Sequence, residues 1–181
     1  KTFTAVNSAN LSVEPGEIHG LVGESGAGKS TIGAAIMGLL DRPGRIAGGI
    51  IRYKGEEISG LDAEAMRGLR GKKISMIFQD PQSSLNPRRR IGEIVAQPVL
   101  TLGVEQDRRA ALKRADLALD RAGLGHAFAR RYPHELSGGQ RQRVGIARAI
   151  ATEPRLIVAD EIVSGLDVST QAQILALLNG L

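Results

Sequence analysis

The sequence has 181 residues, 42% of them hydrophobic and 24% charged, which is typical of a soluble folded domain and excludes a disordered chain. It contains no cysteine, so a disulfide framework and a cysteine-based metal site are both excluded. The net charge is +5, and no apolar run approaches the roughly 18–20 residues that a membrane-spanning helix needs.

Strand and helix signals alternate along the first half of the chain. The short apolar run at 17–23 ends in glycine and predicts a buried strand. Residues 29–40 have the composition and length of a helix. Residues 48–58 combine strand and turn signals, and residues 72–80 predict a further strand.

The second half of the chain is mainly helical before it returns to a strand. Between residues 91 and 132, apolar positions recur at helical spacing at Leu112, Ala115, Leu119 and Ala122. Gly123 stands where a glycine would end this helix. Residues 154–160 predict an apolar strand ending in an acid, and residues 168–181 predict a helix with Asp167 as its N-cap.

A phosphate-binding loop is predicted at residues 23–30, GESGAGKS, which match G-x-x-x-x-G-K-[ST] between a predicted strand and a predicted helix. In this pattern the backbone N–H groups cradle phosphate oxygens, Lys29 neutralises phosphate charge, and the Ser30 hydroxyl binds Mg²⁺. An ordinary glycine-rich turn is the alternative, which the strand and helix on either side disfavour. The candidate nucleotide-binding residues of this loop are Gly23, Glu24, Ser25, Gly26, Ala27, Gly28, Lys29, Ser30 and Thr31.

Two acids follow the apolar strand LIVA, namely Asp160 and Glu161. Acids at the carboxyl end of a parallel strand lie where open α/β sheets bind their ligands. We expect Asp160 to hold Mg²⁺ and Glu161 to polarise the attacking water as a general base. The alternative is that these acids merely cap the next turn.

A second turn that is suited to bind an anion lies in the stretch ELSGGQRQRV. Ser137 and two glycines precede a predicted helix, whose first N–H groups lack partners within the helix. An ATPase with a single phosphate loop does not need this turn. A single phosphate loop also does not explain Gln79, a polar residue at the end of a predicted strand.

In its motifs and their order, the sequence resembles the ATP-binding cassette (ABC) family over essentially the whole chain. The motifs are the phosphate loop, Gln79 in FQD, LSGGQ at 136–140, LIVADE at 156–161 and SGLD at 164–167. The resemblance implies that two cassettes pair head to tail and that the signature turn of one caps the nucleotide of the other. The residues of that turn would be Ser137, Gly138, Gly139 and Gln140.

The resemblance also implies roles for two further residues. Gln79 would bind the nucleotide as a Mg²⁺ ligand and sense the γ-phosphate, so the metal ligands would be Ser30, Gln79 and Asp160. Asp167 would lie in a loop at the dimer interface.

Within the family, the stretches IFQDPQSSLNPRRRIGE and RYPHELSGGQRQRVGIARA are similar to the ATPase subunits of bacterial dipeptide, oligopeptide and nickel importers. This branch implies an ATP- and Mg²⁺-dependent ATPase on the cytoplasmic face of the bacterial inner membrane, powering import of peptides or similar solutes. Its partners would be a second ATPase subunit, membrane permease subunits and, indirectly, an external solute-binding protein. Nucleic acid is not expected as a partner.

The fold that the resemblance implies is α/β, a P-loop NTPase core with a mainly parallel sheet, an antiparallel β lobe and an inserted α-helical lobe. Residues 1–80 and 154–181 would form the ATP-binding core within one domain. Residues 81–153 would form the helical lobe, including the signature, and contact the permease.

This sequence departs from the family pattern at two loop positions and covers the fold only in part. Ile162 stands where proline is usual, and Gly165 stands where alanine is usual and should loosen the loop that carries Asp167. The family's switch histidine is expected beyond Leu181. We therefore expect slow hydrolysis by residues 1–181 alone.

Two other functions fit parts of the sequence. A chromosome-maintenance or repair ATPase would explain the basic runs at 87–90 and 129–131, but the stretch between Lys29 and Ser137 holds no sustained heptads. Aromatic residues are also scarce at 3%, which favours a solvated or lipid-facing basic surface over a base-stacking one. A non-hydrolysing regulatory module is disfavoured by intact Lys29, Asp160 and Glu161.

Overall fold

Residues 3–79 and 84–180 are described by the computed structural model, and they divide into two units between Arg70 and Gly71. The amino-terminal unit holds helix α1 (Lys29–Ile36), strands β1 (Arg52–Tyr53) and β2 (Glu56–Glu57), and helix α2 (Ala63–Leu69). The carboxy-terminal unit holds strands β3 (Ile74–Ile77) and β4 (Leu156–Ala159) with helices α3 (Ile91–Thr101), α4 (Arg108–Arg121), α5 (Gly138–Ile150) and α6 (Val168–Asn179).

The amino-terminal unit is held together by a short hairpin and by contacts between its two helices. β1 and β2 are antiparallel, and the turn between them places Lys54 and Gly55 at positive φ, as a two-residue hairpin requires. Arg70, at the end of α2, donates hydrogen bonds to the carbonyls of Met37 (2.7 Å) and Gly38 (2.9 Å) just beyond α1. The helix predicted at 29–40 is present but ends at Ile36, and the strand and turn signals at 48–58 are confirmed as the β1–β2 hairpin.

The buried strand predicted at 17–23 is wrong. No strand is present there, and Val22 is 94% exposed. An apolar run becomes a buried strand only where a neighbouring strand pairs with it, and no described segment of the amino-terminal unit does so.

The carboxy-terminal unit combines a parallel strand pair with a helical core. β3 and β4 pair in parallel from Ile74 with Leu156 to Ile77 with Ala159. Asp80 and Leu181, the last residues of the strand and helix predicted at 72–80 and 168–181, lie outside the described residues. β4 is only partly buried, because β3 is its one described strand partner.

Helices α3, α4 and α5 form the main core of this unit through residues spaced for one helical face. In α4, the predicted core positions Ala115 and Leu119 are fully buried, as is Ala122 at its C-cap, and Leu112 is packed against the same cluster. Gly123 has φ +70° and donates its N–H to the carbonyl of Asp120, while the N–H of Leu124 bonds to Leu119. These two bonds form a Schellman motif, so the predicted glycine stop is confirmed.

The division into an ATP-binding core (1–80 and 154–181) and a helical lobe (81–153) stays a prediction. The described residues of the predicted lobe contain α3, α4 and α5 and also two 3₁₀ turns, His126–Arg130 and Pro133–Glu135.

Two leucines of α4 provide a matched test of the helical core. Leu119 is fully buried whereas Leu117 is 57% exposed. We expect Leu119→Ala to lower the free energy of unfolding by about 2–5 kcal/mol, through lost burial and a residual cavity. Leu117→Ala should change it by less than about 0.5 kcal/mol. Chemical denaturation checks both values, and equal losses would contradict the assigned packing of α4.

Candidate functional site

The predicted phosphate loop folds around its own lysine. Gly26 and Gly28 have φ values of +82° and +87°, which turn the chain sharply before α1 begins at Lys29. The Lys29 ammonium donates hydrogen bonds of 2.8 Å to the carbonyls of Gly23 and Glu24. No side chain caps α1 at Gly28, so the positive end of the helix dipole is left for an anion.

Gly28 is required by its surroundings as well as by its backbone angle. A Cβ at this position would lie 2.6 Å from Cγ2 of Val6 and 3.0 Å from the carbonyl oxygen of Ala5. The loop can therefore close on the segment before it only with glycine at this position.

A second group of predicted site residues lies at the carboxyl ends of β3 and β4. The Gln79 amide donates a hydrogen bond of 2.8 Å from Nε2 to Oε2 of Glu161. The backbone N–H of Asp160 bonds to the carbonyl of Ile77 at 3.0 Å, which continues the parallel ladder to this point. Glu161 has φ +43°, an uncommon angle for a residue other than glycine. The structure thus brings Gln79, Asp160 and Glu161 to one edge of the strand pair.

The chemistry of these donors fits magnesium. At this edge of the strand pair Asp160 has a carboxylate, and the Gln79 amide oxygen takes no part in the bond to Glu161. The third predicted ligand, Ser30, belongs to the amino-terminal unit, and its part in a magnesium site stays a prediction. Within residues 3–79 and 84–180, no three His, Asp or Glu residues group as a metal site. Mg²⁺ commonly takes one or two carboxylates, with substrate phosphates and water completing its shell.

Helix α5 starts at the signature turn, where the sequence predicts a helix. Ser137 is the N-cap, and its hydroxyl accepts from the N–H of Gln140 at 3.3 Å. The Gln140 side chain in turn accepts from the N–H of Ser137 at 3.0 Å. This capping box holds the turn in one conformation.

Packing explains why glycine is needed at one of the two signature positions but not at the other. A Cβ on Gly139 would lie 2.8 Å from Cγ2 of Thr170 at the start of α6. A Cβ on Gly138 would meet nothing within 4 Å, and Gly138 is exposed. Gly139 therefore serves packing within this unit, whereas packing does not explain Gly138.

Asp167 is confirmed as the N-cap of α6. Its carboxylate accepts from the N–H of Thr170 at 3.0 Å, from the Thr170 hydroxyl at 2.7 Å and from the Ser169 hydroxyl. These donors, led by the Ser169 hydroxyl, hold the pKa of Asp167 well below its ordinary value. Its role at a dimer interface stays a prediction.

The two departures from the family pattern occupy different environments. Ile162 is 6% exposed and packs in the helical core, where its side chain adds apolar contact. Gly165 has φ +74°, an angle that the alanine usual in the family adopts only with strain.

Two arginine anchors of α5 were missed by the sequence analysis. Arg148 donates to the carbonyl (2.7 Å) and the hydroxyl (3.1 Å) of Ser84, and burial lowers the pKa of its guanidinium. Arg143 donates to Oε1 of Gln173 at 2.7 Å. Both arginines lie within a predicted helix, and helical spacing does not indicate hydrogen-bond partners that are distant in sequence.

A family model described as ABC transporter matches residues 6–164. The chain belongs to the ABC transporter family. The oligopeptide transport ATP-binding protein OppF of Escherichia coli is 46% identical over all of this chain and 53% of the relative. AppF of Bacillus subtilis, also an oligopeptide transport ATP-binding protein, is 48% identical over 98% of this chain and 52% of its own length. The chain thus spans about half the length of these curated relatives.

Solved ABC transporter cassettes share the fold. A dimeric ATP-binding cassette in a post-hydrolysis state with ADP and Pi superposes with a TM-score of 0.82 at 34% identity, covering 96% of this chain and 73% of that one. cbiO1 from Clostridium perfringens gives a TM-score of 0.83 at 28% identity, covering 97% of this chain and 66% of that one. The predicted α/β fold class and the predicted family are both confirmed. None of the helices in the described part of this ABC transporter chain could span a membrane by length and apolarity.

Alanine substitutions at the signature glycines test whether packing requires glycine at position 139 but not at position 138. We expect Gly139→Ala to destabilise the unit by about 1–3 kcal/mol, because its methyl group meets Thr170. Thr170→Ser in the same chain should restore most of the loss, since it removes Cγ2 and keeps a hydroxyl for Asp167. Gly138→Ala is the matched control and should leave stability unchanged or raise it by about 0.5–1 kcal/mol. Thermal unfolding of the four chains measures these differences, and equal losses at both glycines would exclude the packing account.

Proposed function

We propose that this chain is the nucleotide-binding part of an ATP-hydrolysing subunit that powers import of peptides or similar small solutes across the bacterial inner membrane. The observation that carries the proposal is the pairing of Gln79 with Glu161 where β3 and β4 end. It gives the proposed general base a fixed position next to the proposed γ-phosphate sensor. The named transport relatives, at 46–48% identity, support the peptide substrate class.

The proposed binding step uses the phosphate loop. ATP would place its phosphates at the amino end of α1, where the helix dipole and backbone N–H groups favour negative charge. Lys29 would exchange its bonds to the Gly23 and Glu24 carbonyls for bonds to phosphate oxygens. Mg²⁺, held by Ser30, Gln79 and Asp160, would neutralise charge that develops on the phosphates.

The proposed hydrolytic step uses Glu161. Its carboxylate would accept a proton from water as the water oxygen bonds to the γ-phosphorus and the bond to the β-phosphate oxygen breaks, leaving ADP and phosphate. The N–H···O bond from Gln79 fixes the orientation of that carboxylate. A non-hydrolysing module would have no use for this arrangement.

The signature turn would act on a second cassette. Ser137 and Gly138 are exposed at the start of α5, and no packing contact explains Gly138. In a head-to-tail pair, these groups and the amide of Gly139 would face the γ-phosphate of the partner's nucleotide. The helical lobe would contact the permease subunits on the cytoplasmic face of the membrane.

Removal of the phosphate-loop lysine tests the binding step. We expect Lys29→Ala in the full-length protein to weaken ATP affinity about ten- to a hundredfold, since a charge-assisted hydrogen bond contributes about 1.5–3 kcal/mol. Lys72→Ala is the control, because Lys72 is exposed and precedes the amino end of β3, opposite the end near Gln79. Isothermal titration with ATP gives both affinities, and an unchanged affinity in Lys29→Ala would show that the phosphate loop is assigned wrongly.

Removal of the proposed base tests the hydrolytic step and separates an ATPase from a regulatory module. We expect Glu161→Gln in the full-length protein to lower the hydrolysis rate about a hundred- to ten-thousandfold while ATP still binds. Glu64→Gln, a change at an exposed position in α2, should leave the rate unchanged. Phosphate release measures the rates. A rate in Glu161→Gln equal to that of the unsubstituted protein would place the base elsewhere.

A further inference from the structure

Five exposed arginines gather at one place in the carboxy-terminal unit, and the site described above uses none of them. Arg88, Arg89 and Arg90 lie directly before α3, and Arg130 and Arg131 lie at and after the end of the first 3₁₀ turn. A hydrogen bond of 2.9 Å from the N–H of Ile91 to the carbonyl of Arg131 joins the two segments. We call these five residues the arginine patch.

The arginine patch carries positive charge that no ion pair within residues 3–79 and 84–180 neutralises. Segments 84–92 and 126–134 contain neither aspartate nor glutamate. Among the ion pairs of the described residues, none includes an arginine of the patch. The acids that follow each segment are engaged, because Glu93 binds Arg108 at 2.6 Å and Glu135 accepts from the N–H of Tyr132.

Fold stability does not account for the patch. Like charges that lie close together repel one another, and cations at the amino end of a helix oppose its dipole. Arg90 is the N-cap of α3 and makes no side-chain capping bond. The three arginines before α3 therefore disfavour the local structure, and their charge is available for an anionic partner.

Two of the guanidinium groups are held in place by aromatic rings. The Arg131 guanidinium lies 4.4 Å from the centroid of the Phe128 ring, and that of Arg90 lies 5.8 Å from the Tyr132 ring. Tyr132 also stacks on His134, with ring centroids 5.6 Å apart. Ordering a long side chain before binding reduces the entropy lost in a complex, which favours specific docking over diffuse attraction.

The chemistry of the patch favours carboxylates of a protein partner. All five cations are arginine, whose planar fork binds carboxylates through two parallel hydrogen bonds. Attraction to anionic lipid depends mainly on charge, for which lysine serves equally well. Stacking on nucleic-acid bases needs open ring faces. Here Arg131 lies over the Phe128 ring, and Arg90 and His134 lie against the Tyr132 ring.

We infer that the arginine patch is the docking surface for an acidic, carboxylate-bearing segment of a membrane subunit of the transporter. This inference rests on the proposed function, because that function supplies the membrane partner. It adds the residues of the contact and the chemical class of the segment that they bind.

The test is the assembly of the full-length protein with the membrane subunits encoded beside it, purified in detergent. Arg88→Ala, Arg89→Ala and Arg130→Ala together should weaken assembly about tenfold or more, because three charge-assisted contacts are lost. A matched control removes three exposed cations elsewhere, with Arg67→Ala, Arg109→Ala and Lys113→Ala, and should assemble like the unsubstituted protein. Undiminished assembly of the first variant would overturn the inference.

Replacing all five arginines of the patch by lysine separates carboxylate recognition from general charge. This variant keeps every positive charge but loses the planar fork, so its assembly should also weaken about tenfold. Assembly equal to that of the unsubstituted protein would contradict the inference. Binding to vesicles of phosphatidylcholine with about one third phosphatidylglycerol, or to duplex DNA, that the alanine variant loses and the lysine variant keeps, while neither change weakens assembly, would also overturn the inference, because lipid or nucleic acid would then explain the patch.

ATP affinity and basal hydrolysis distinguish failure of this inference from failure of the proposed function. Both should be unchanged in every patch variant, because none of the substituted residues belongs to the nucleotide site. Loss of assembly with normal ATP hydrolysis supports the docking surface. If the unsubstituted full-length protein neither binds nor hydrolyses ATP, the proposed function itself fails.

Discussion

The parallel pairing of β3 with β4 is the interaction on which the candidate site depends. Four residue pairs fix the register of the two strands, so both chains leave the sheet at the same level. Gln79 and Glu161 are far apart in sequence, yet this register places their side chains within 2.8 Å. A shift of one residue in β4 would turn its alternate side chains to the opposite face and separate the pair.

Helix α5 connects the signature turn to two other parts of the same unit, helix α6 and Ser84. Its amino end approaches α6 at Gly139, its middle reaches α6 through Arg143, and its last turn holds Ser84 through Arg148. The buried face between these contacts includes Val144 and Ile146, both fully inaccessible. These contacts hold α5 in place along its length, which suits an element whose amino end is proposed to meet a nucleotide.

Much of this arrangement could be predicted from local patterns, and the rest depends on neighbours that no local pattern specifies. The N-caps at Ser137 and Asp167 and the glycine stop at Gly123 follow from short-range chemistry, and all three are present. The strand predicted at 17–23 required a partner strand, which local apolarity cannot supply. The contact of Gln79 with Glu161 likewise depends on strand register, and the sequence pointed only to each residue separately.

Thr170 carries two contacts on a single branched carbon. Its hydroxyl donates to Asp167, and its methyl group sets the distance at which the backbone of Gly139 can pass. Valine would keep the methyl group and lose the hydroxyl bond to Asp167, whereas alanine would lose both, and the backbone N–H of residue 170 would still cap through Asp167 in each case. The Thr170 side chain therefore contacts both the loop after β4 and the first turn of α5. A displacement of Asp167 that carried Thr170 with it would change the space that the Gly139 backbone has at the signature turn.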